Sequence, residues 1–156
     1  MEVPLYAVLF LSTLAAMEGV AWVTHRYLMH GPLWFLHASH HRPHRGRFEW
    51  NDLFGVFFSI PSIVLIWYGT HGYPSLLFIG LGMAAYGVAY FGFHDVIVHR
   101  RLPLRLSPRS RYLRRIIQAH LIHHRTHRKY GARSFGFLYA PPLEKLNRRS
   151  GAAAQG

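Results

Sequence analysis

Thirteen histidines in 156 residues are the feature of this sequence best equipped to do chemistry. Twelve fall into two matched sets. The first is His25-x4-His30 followed by His37-x2-His40-His41-x2-His44, and the second is His94-x4-His99 followed by His120-x2-His123-His124-x2-His127. Only His71 stands apart. The offset between the sets is 69 residues for the first element and 83 for the second, so they read as two half-sites of one centre rather than a tandem repeat. Cysteine is absent, which removes disulfides, thiolate metal sites and iron–sulfur ligation. Six acidic residues are too few for a bundle site built from Glu and Glu-x-x-His. Imidazole suits zinc, copper, iron and nickel alike, so ligand type leaves the metal open. Ligand number says more: eight to ten imidazoles exceed the coordination shell of one ion and point to two.

The spacings carry geometry. On an α-helix, positions i, i+3 and i+4 lie within about 100° of one another. His37/His40/His41 and His120/His123/His124 can therefore each aim three imidazoles at one point. Positions i and i+5 lie about 140° apart. His25/His30 and His94/His99 then need an unwound turn or an approach from two directions. His30-Gly31-Pro32 ends a helix, so an unwound turn is expected there. No terminator accompanies His94 and His99, and the geometry at that pair is open.

The elements that must position these residues are apolar. Half of the residues are hydrophobic, yet the formal net charge is +12. The two properties occupy different stretches. Val3–Val23 carries one ionisable residue, Glu18; Leu53–Thr70 and Pro74–Phe93 carry none, and the last runs on towards Val98 apart from His94 and Asp95. A helix needs about 20 mainly apolar residues to cross the hydrocarbon, so three spans are expected. Pro61 sits within the second, as membrane helices tolerate. The first is read as a span and not a cleaved leader, because no basic residue precedes Pro4. His71-Gly72-Tyr73-Pro74 forms a tight hairpin, and Tyr112–His124 is an amphipathic candidate for a fourth, half-embedded helix. Four basic residues lie between Arg26 and Arg47 and fourteen from Arg100 onward. With three crossings all eighteen fall on the side that holds the twelve clustered histidines, which the positive-inside rule makes the cytoplasm. Topology alone therefore accounts for the basic charge, without a nucleic-acid partner. Anionic lipid headgroups or an acidic electron-transfer partner fit it better. A metal transporter would need polar groups along a path through the membrane, and Leu53–Thr70 has no ionisable residue.

The pattern HxxxxH, HxxHH, HxxxxH, HxxHH resembles the membrane fatty-acid hydroxylase and sterol desaturase superfamily, and within it the bacterial-type β-carotene hydroxylases. The similarity runs from about Met17 to Leu146. It includes His25-Arg26-Tyr27-Leu28-Met29-His30-Gly31, Phe48-Glu49-Trp50-Asn51-Asp52-Leu53, His94-Asp95-Val96-Ile97-Val98-His99 and Ser134-Phe135-Gly136-Phe137-Leu138-Tyr139-Ala140-Pro141-Pro142. The resemblance implies an all-α integral membrane protein with three to four transmembrane helices. One hydroxylase domain is expected over 1–146, with a flexible basic tail over 147–156. It implies that His25, His30, His37, His40, His41, His94, His99, His120, His123 and His124 bind two iron ions, with zinc as a substitute in preparations. His44 and His127 depart from the family pattern and are expected behind the ligands or at the surface. Asp95 is expected either to orient an imidazole or to pair with Arg100 or Arg101. The implied reaction is O2-dependent hydroxylation at the 3-position of a β-ring, taking β-carotene through β-cryptoxanthin to zeaxanthin. Electrons are implied to come from a ferredoxin-type donor, for which the Arg100–Arg115 face is the expected dock. A carotenoid arrives through the bilayer, and Phe54, Phe57, Phe58, Tyr86, Tyr90, Phe91 and Phe93 are candidates to line its path. Within the superfamily, a ketolase or a sterol or fatty-acyl hydroxylase or desaturase would share the metal site; the Phe48–Leu53 and Ser134–Pro142 motifs argue against them.

Overall fold

Each apolar run folds as one long helix. The computed structural model describes residues 2–42, 46, 48–104 and 108–152. In chain order its helices are α1 (Glu2–Val23), a short α2 (Trp34–His37), α3 (Asp52–Thr70), α4 (Pro74–Tyr90), α5 (Arg111–His124) and α6 (Leu143–Ala152). There is no strand among the described residues. α1 and α4 run on without a break into π-helical segments, Thr24–Met29 and Phe91–Val98. The apolar helices thus cover Val3–Met29, Asp52–Thr70 and Pro74–Val98. Among the described residues these three are long and apolar enough to cross a membrane. They are apolar all round and turn much of that surface outward: Val3 is 79% exposed, Ile63 63% and Val88 74%. Only lipid accepts such a surface. The chain is a membrane protein.

Local chemistry sets the helix ends. Gly72 takes a left-handed turn (φ 108°) between α3 and α4. Pro74 then starts α4 where its missing N–H is no loss. α3 passes through Pro61 and remains helical. The Ser110 hydroxyl caps α5 by accepting the Leu113 N–H (3.1 Å). α6 runs through the boundary that the sequence reading draws at 146, and its Leu146 is buried against Ile116, Ala119, Ile122 and Ala140.

α4 packs against both α1 and α3. Small residues allow the approach, as expected where apolar lipid gives helices little other reason to associate. A Cβ at Gly69 would lie 2.3 Å from the Leu77 backbone nitrogen, and one at Gly80 would lie 2.8 Å from Ile66. Beside them the Ser62 hydroxyl donates to the Gly80 carbonyl (2.9 Å). The turn at Gly72 closes one end of this layer. The ends of α1 and α4, the start of α3, and α2 and α5 meet at the other, where the chain carries its clustered histidines.

A Gly69→Val substitution should force α3 and α4 apart and cost roughly 1–3 kcal/mol of overpacking. Thermal unfolding in detergent measures it; an unchanged midpoint would mean that the two helices do not pack this closely.

Candidate metal centre

The two π-helical segments settle how histidines five apart meet. A π turn closes i→i+5 bonds, and here the His30 N–H donates to the His25 carbonyl (3.0 Å) and the His99 N–H to the His94 carbonyl (2.9 Å). The wide turn stacks residues five apart on one side of the helix. His25 and His30 lie 5.3 Å apart between ring centroids, and His94 and His99 lie 4.5 Å apart. The unwound turn expected at His30-Gly31-Pro32 is thus a widened one, and the pair left open adopts the same form.

The HxxHH elements depart from expectation too. α2 ends at His37, and His40 and His41 follow in turns, with the His40 N–H donating to the His37 carbonyl (3.0 Å). The three imidazoles do not share a point. His37 and His41 join His25, His30 and His123; His40 joins His94, His99, His120 and His124. Neither sequence set therefore makes up a half-site by itself. They form two groups of five, and each set sends one imidazole across: His40 from the first, His123 from the second. In each group one nitrogen per residue lies within 4.8 Å of the others.

The first group shows why these nitrogens converge. The Nδ1–H of His25 donates to the Phe135 carbonyl (3.0 Å), that of His30 to Lys129 (2.9 Å), that of His41 to Thr126 (2.8 Å) and that of His123 to Arg133 (3.0 Å). His37 donates to Asn51 Oδ1 (2.7 Å). Every acceptor is an oxygen without a proton, so the tautomer of a neutral ring is fixed and Nε2 is a bare lone pair. Yet Nε2 of His37 lies 3.1 Å from those of His25 and His41, and Nε2 of His123 lies 3.2 Å from that of His30 and 3.1 Å from that of His41. With no proton between them these contacts are not hydrogen bonds. Lone pairs this close repel unless a cation sits among them. Two nitrogens at right angles on one ion, with bonds of roughly 2.1 Å, would stand about 3.0 Å apart. The arrangement fits a metal ion.

The second group has the same convergence, with Nε2 of His40 3.1 Å from that of His94 and Nε2 of His99 3.1 Å from that of His120. His124 Nε2 is buried with no hydrogen-bond partner, as a lone pair reserved for a metal would be. Carboxylates stand behind two of its rings: the His40 Nδ1–H donates to Glu49 (3.0 Å) and the His94 Nδ1–H to Asp95 (3.2 Å). Both roles weighed for Asp95 hold at once, since its other oxygen pairs with Arg101 Nη1 (3.1 Å). Arg101 also reaches Glu49 (3.2 Å) and Asp52 (2.7 Å). It is therefore committed inside the protein and drops out of the Arg100–Arg115 docking face. Burial first, and then the neighbouring imidazoles, hold His41 down to about 4 and His99 to about 3, and push His37, His40, His120 and His123 further below the ordinary histidine range. These six rings are neutral at pH 7.

Two parts of the frame escaped the sequence reading. Residues 126–135 have no regular structure but supply four of the five oxygens behind the first group. Ser134, in a left-handed conformation (φ 63°), turns the chain between the Arg133 and Phe135 carbonyls. The segment that follows is fastened to Glu18 of α1: the N–H groups of Phe137 (2.8 Å), Leu138 (2.8 Å) and Tyr139 (3.1 Å) donate to one carboxylate oxygen, and the Tyr86 hydroxyl donates to the other (2.9 Å). The signal was there, in a lone acid within an apolar run. Around the rings, Phe135 meets His25, His30 and His123 edge-on, Trp34 lies beside His30, His37 and His41, and Tyr90 stacks on His94 at 4.6 Å.

Of the seven aromatics expected to line a substrate path, Tyr86 is buried, and Phe58, Tyr90 and Phe93 pack with Phe137 around it. Phe54 is half-buried, while Phe57 and Phe91 face outward. A cleft of about 260 Å³ lined by His40, His41, His99, His124, Arg42 and His127 reaches both groups. His127 is exposed at the surface, and His44 lies outside the described residues. His71 is far from the groups in the fold, stacked on Trp67.

Residues 10–143 match the Fatty acid hydroxylase family. A protein named Beta-carotene hydroxylase from Pantoea ananas is 50% identical over 140 residues, covering 90% of this chain and 80% of that protein. One of the same name from Paracoccus sp. (strain PC1) is 46% identical over 144 residues, covering 90% and 89%. Beta-carotene 3-hydroxylase 2, chloroplastic, from Arabidopsis thaliana is 39% identical over 129 residues, covering 80% of this chain and 42% of that longer protein. No solved structure matches the chain.

Glu18→Ala strands four donors and should cost at least about 2 kcal/mol and lower the metal content, with Glu18→Gln retaining most of both. Thermal unfolding and metal per chain are the measurements; an Ala variant equal to wild type would remove Glu18 from the frame. Acid should act on the metal-free chain with a definite sign. His41 and His99 have folded values below the ordinary 6.5, so their contribution is intact above about pH 6.5 and is lost as pH falls towards 4 and 3, where only the unfolded chain takes up protons readily. Unfolding midpoints measured from pH 7 to 4 should fall; a flat profile would contradict the burial of these rings.

Proposed function

The chain belongs to the fatty acid hydroxylase family, and from that premise we propose that it is an O2-dependent β-carotene 3-hydroxylase that works with two iron ions, one in each group of five histidines. The observation that carries the reading is the convergence of ten imidazole nitrogens in a chain 46–51% identical to bacterial proteins named for β-carotene. The ligands are His25, His30, His37, His41 and His123 for one ion and His40, His94, His99, His120 and His124 for the other. Iron held there would supply the O2 activation that an unactivated ring methylene requires. One oxygen atom enters the C–H bond and the other leaves as water, which calls for two electrons and two protons per ring. Reaction at one ring gives β-cryptoxanthin, and reaction at the other gives zeaxanthin.

The chain's own residues prepare this chemistry. Backbone carbonyls and Asn51 hold five rings by Nδ1–H, so that Nε2 is presented without searching for a rotamer. Neutral imidazoles leave the charge of the cations uncompensated, which favours anionic oxygen species at the site. The rings of Phe135, Trp34 and Tyr90 exclude water from three sides. The apolar helices bring the centres to the edge of the lipid in which a carotenoid dissolves. Electrons come from outside, from a ferredoxin-type donor, because the sequence carries no haem, flavin or iron–sulfur motif. The basic end of the protein suits an acidic donor and anionic headgroups, and the positive-inside rule supports a cytoplasmic position for the histidines at a bacterial inner membrane.

Pigment analysis of cells that accumulate β-carotene tests the reading. Expression of the chain should produce β-cryptoxanthin and zeaxanthin, and His123→Ala should abolish both. Unchanged β-carotene with folded, iron-loaded protein would overturn the carotenoid assignment and direct the search to sterols and fatty acyl chains.

A further inference from the structure

The surroundings of the two groups differ in charge. Behind the His25 group every Nδ1–H ends on a neutral oxygen. Behind the His40 group two of them end on the carboxylates of Glu49 and Asp95. Arg101 joins these carboxylates and takes Asp52 as a third. The backbone brings Arg101 there: Arg100, two residues after the π-helical segment, adopts a left-handed conformation (φ 52°), and the Arg101 N–H donates to the Asp95 carbonyl (2.9 Å). Three carboxylates against one guanidinium leave an excess of negative charge beside His40 and His94.

Two effects compete. The His25 group has more of its rings oriented by Nδ1–H bonds, five against two, and orientation favours its affinity. A carboxylate does more than orient. It makes the imidazole it accepts from a stronger donor, and its charge acts directly on a divalent cation in a water-poor site, where charge–charge energies are large. The charge effect outweighs the orientation of neutral bonds.

We propose that the two centres bind their ions unequally, the His40/His94/His99/His120/His124 centre more tightly, and that Glu49, Asp95 and Arg101 are the positioning residues that make it so. The inference rests on the two-ion reading above and is independent of the substrate. Titration of the metal-free protein in detergent with Co(II), followed by calorimetry and visible absorption, tests it. Two ions should bind in two resolved steps, the tighter step absent in His40→Ala and the weaker one absent in His37→Ala. Glu49→Gln and Asp95→Asn keep shape and an acceptor oxygen, so either suffices if the other fails to fold. Each should weaken the tighter step 10–100-fold and leave the weaker step in place. Equal affinities for two ions, a tighter step that depends on His37, or equal weakening of both steps would overturn the inference while leaving two centres. Binding of fewer than two ions would overturn it together with the two-ion reading.

Discussion

A neutral imidazole has one N–H and one lone pair, and the partner of Nδ1 decides where the lone pair faces. In this protein that rule governs the polar end of the molecule. Oxygens that accept but cannot donate stand behind seven rings, and the nitrogens in front of them crowd to about 3.1 Å. The crowding is unfavourable in itself and favourable around a cation. Everything near it can be understood as serving the oxygens: the irregular course of residues 126–135, the left-handed Ser134, and the fastening of the next three N–H groups to Glu18. Irregular backbone at membrane depth is costly unless its polar groups find partners in the protein. The Glu18 carboxylate meets that need from within α1.

The apolar helices contribute position rather than ligand chemistry. They expose most of their side chains to lipid and bring the ends of α1 and α4 together through glycine contacts. Those two ends are π-helical, and the widened turn lets one continuous helix present histidines five apart. The exchange of His40 and His123 between the sequence sets ties the two groups together. Neither set can complete its group without the other.

Much of this was legible in advance. Length and apolarity marked the three spans, and the absence of cysteine with thirteen histidines marked the candidate ligands that the fold gathers into two groups of five. The family motifs covered the same ground, down to the Ser134–Pro142 segment whose purpose only the fold explains. The partition of the histidines was not legible: the first HxxHH leaves the helix after His37, and the second splits between the groups although α5 stays helical through His124. Spacing measured on an ideal α-helix predicted convergence for HxxHH, which splits; for HxxxxH it left an unwound turn or two directions of approach, and a widened turn brings each pair together. Arg101 was weighed as a partner for Asp95, but its pairs with Asp52 and Glu49, 49 and 52 residues away in sequence, were not foreseen.

The central claim is that ten imidazole nitrogens surround two metal ions. X-ray absorption at the iron edge, combined with metal analysis of the purified protein, tests it most directly. The account predicts two irons per chain and a first shell from the protein made of nitrogen, with the outer-shell scattering of imidazole rings. A first shell dominated by carboxylate oxygen, or one iron or fewer in folded protein supplied with excess iron, would contradict it.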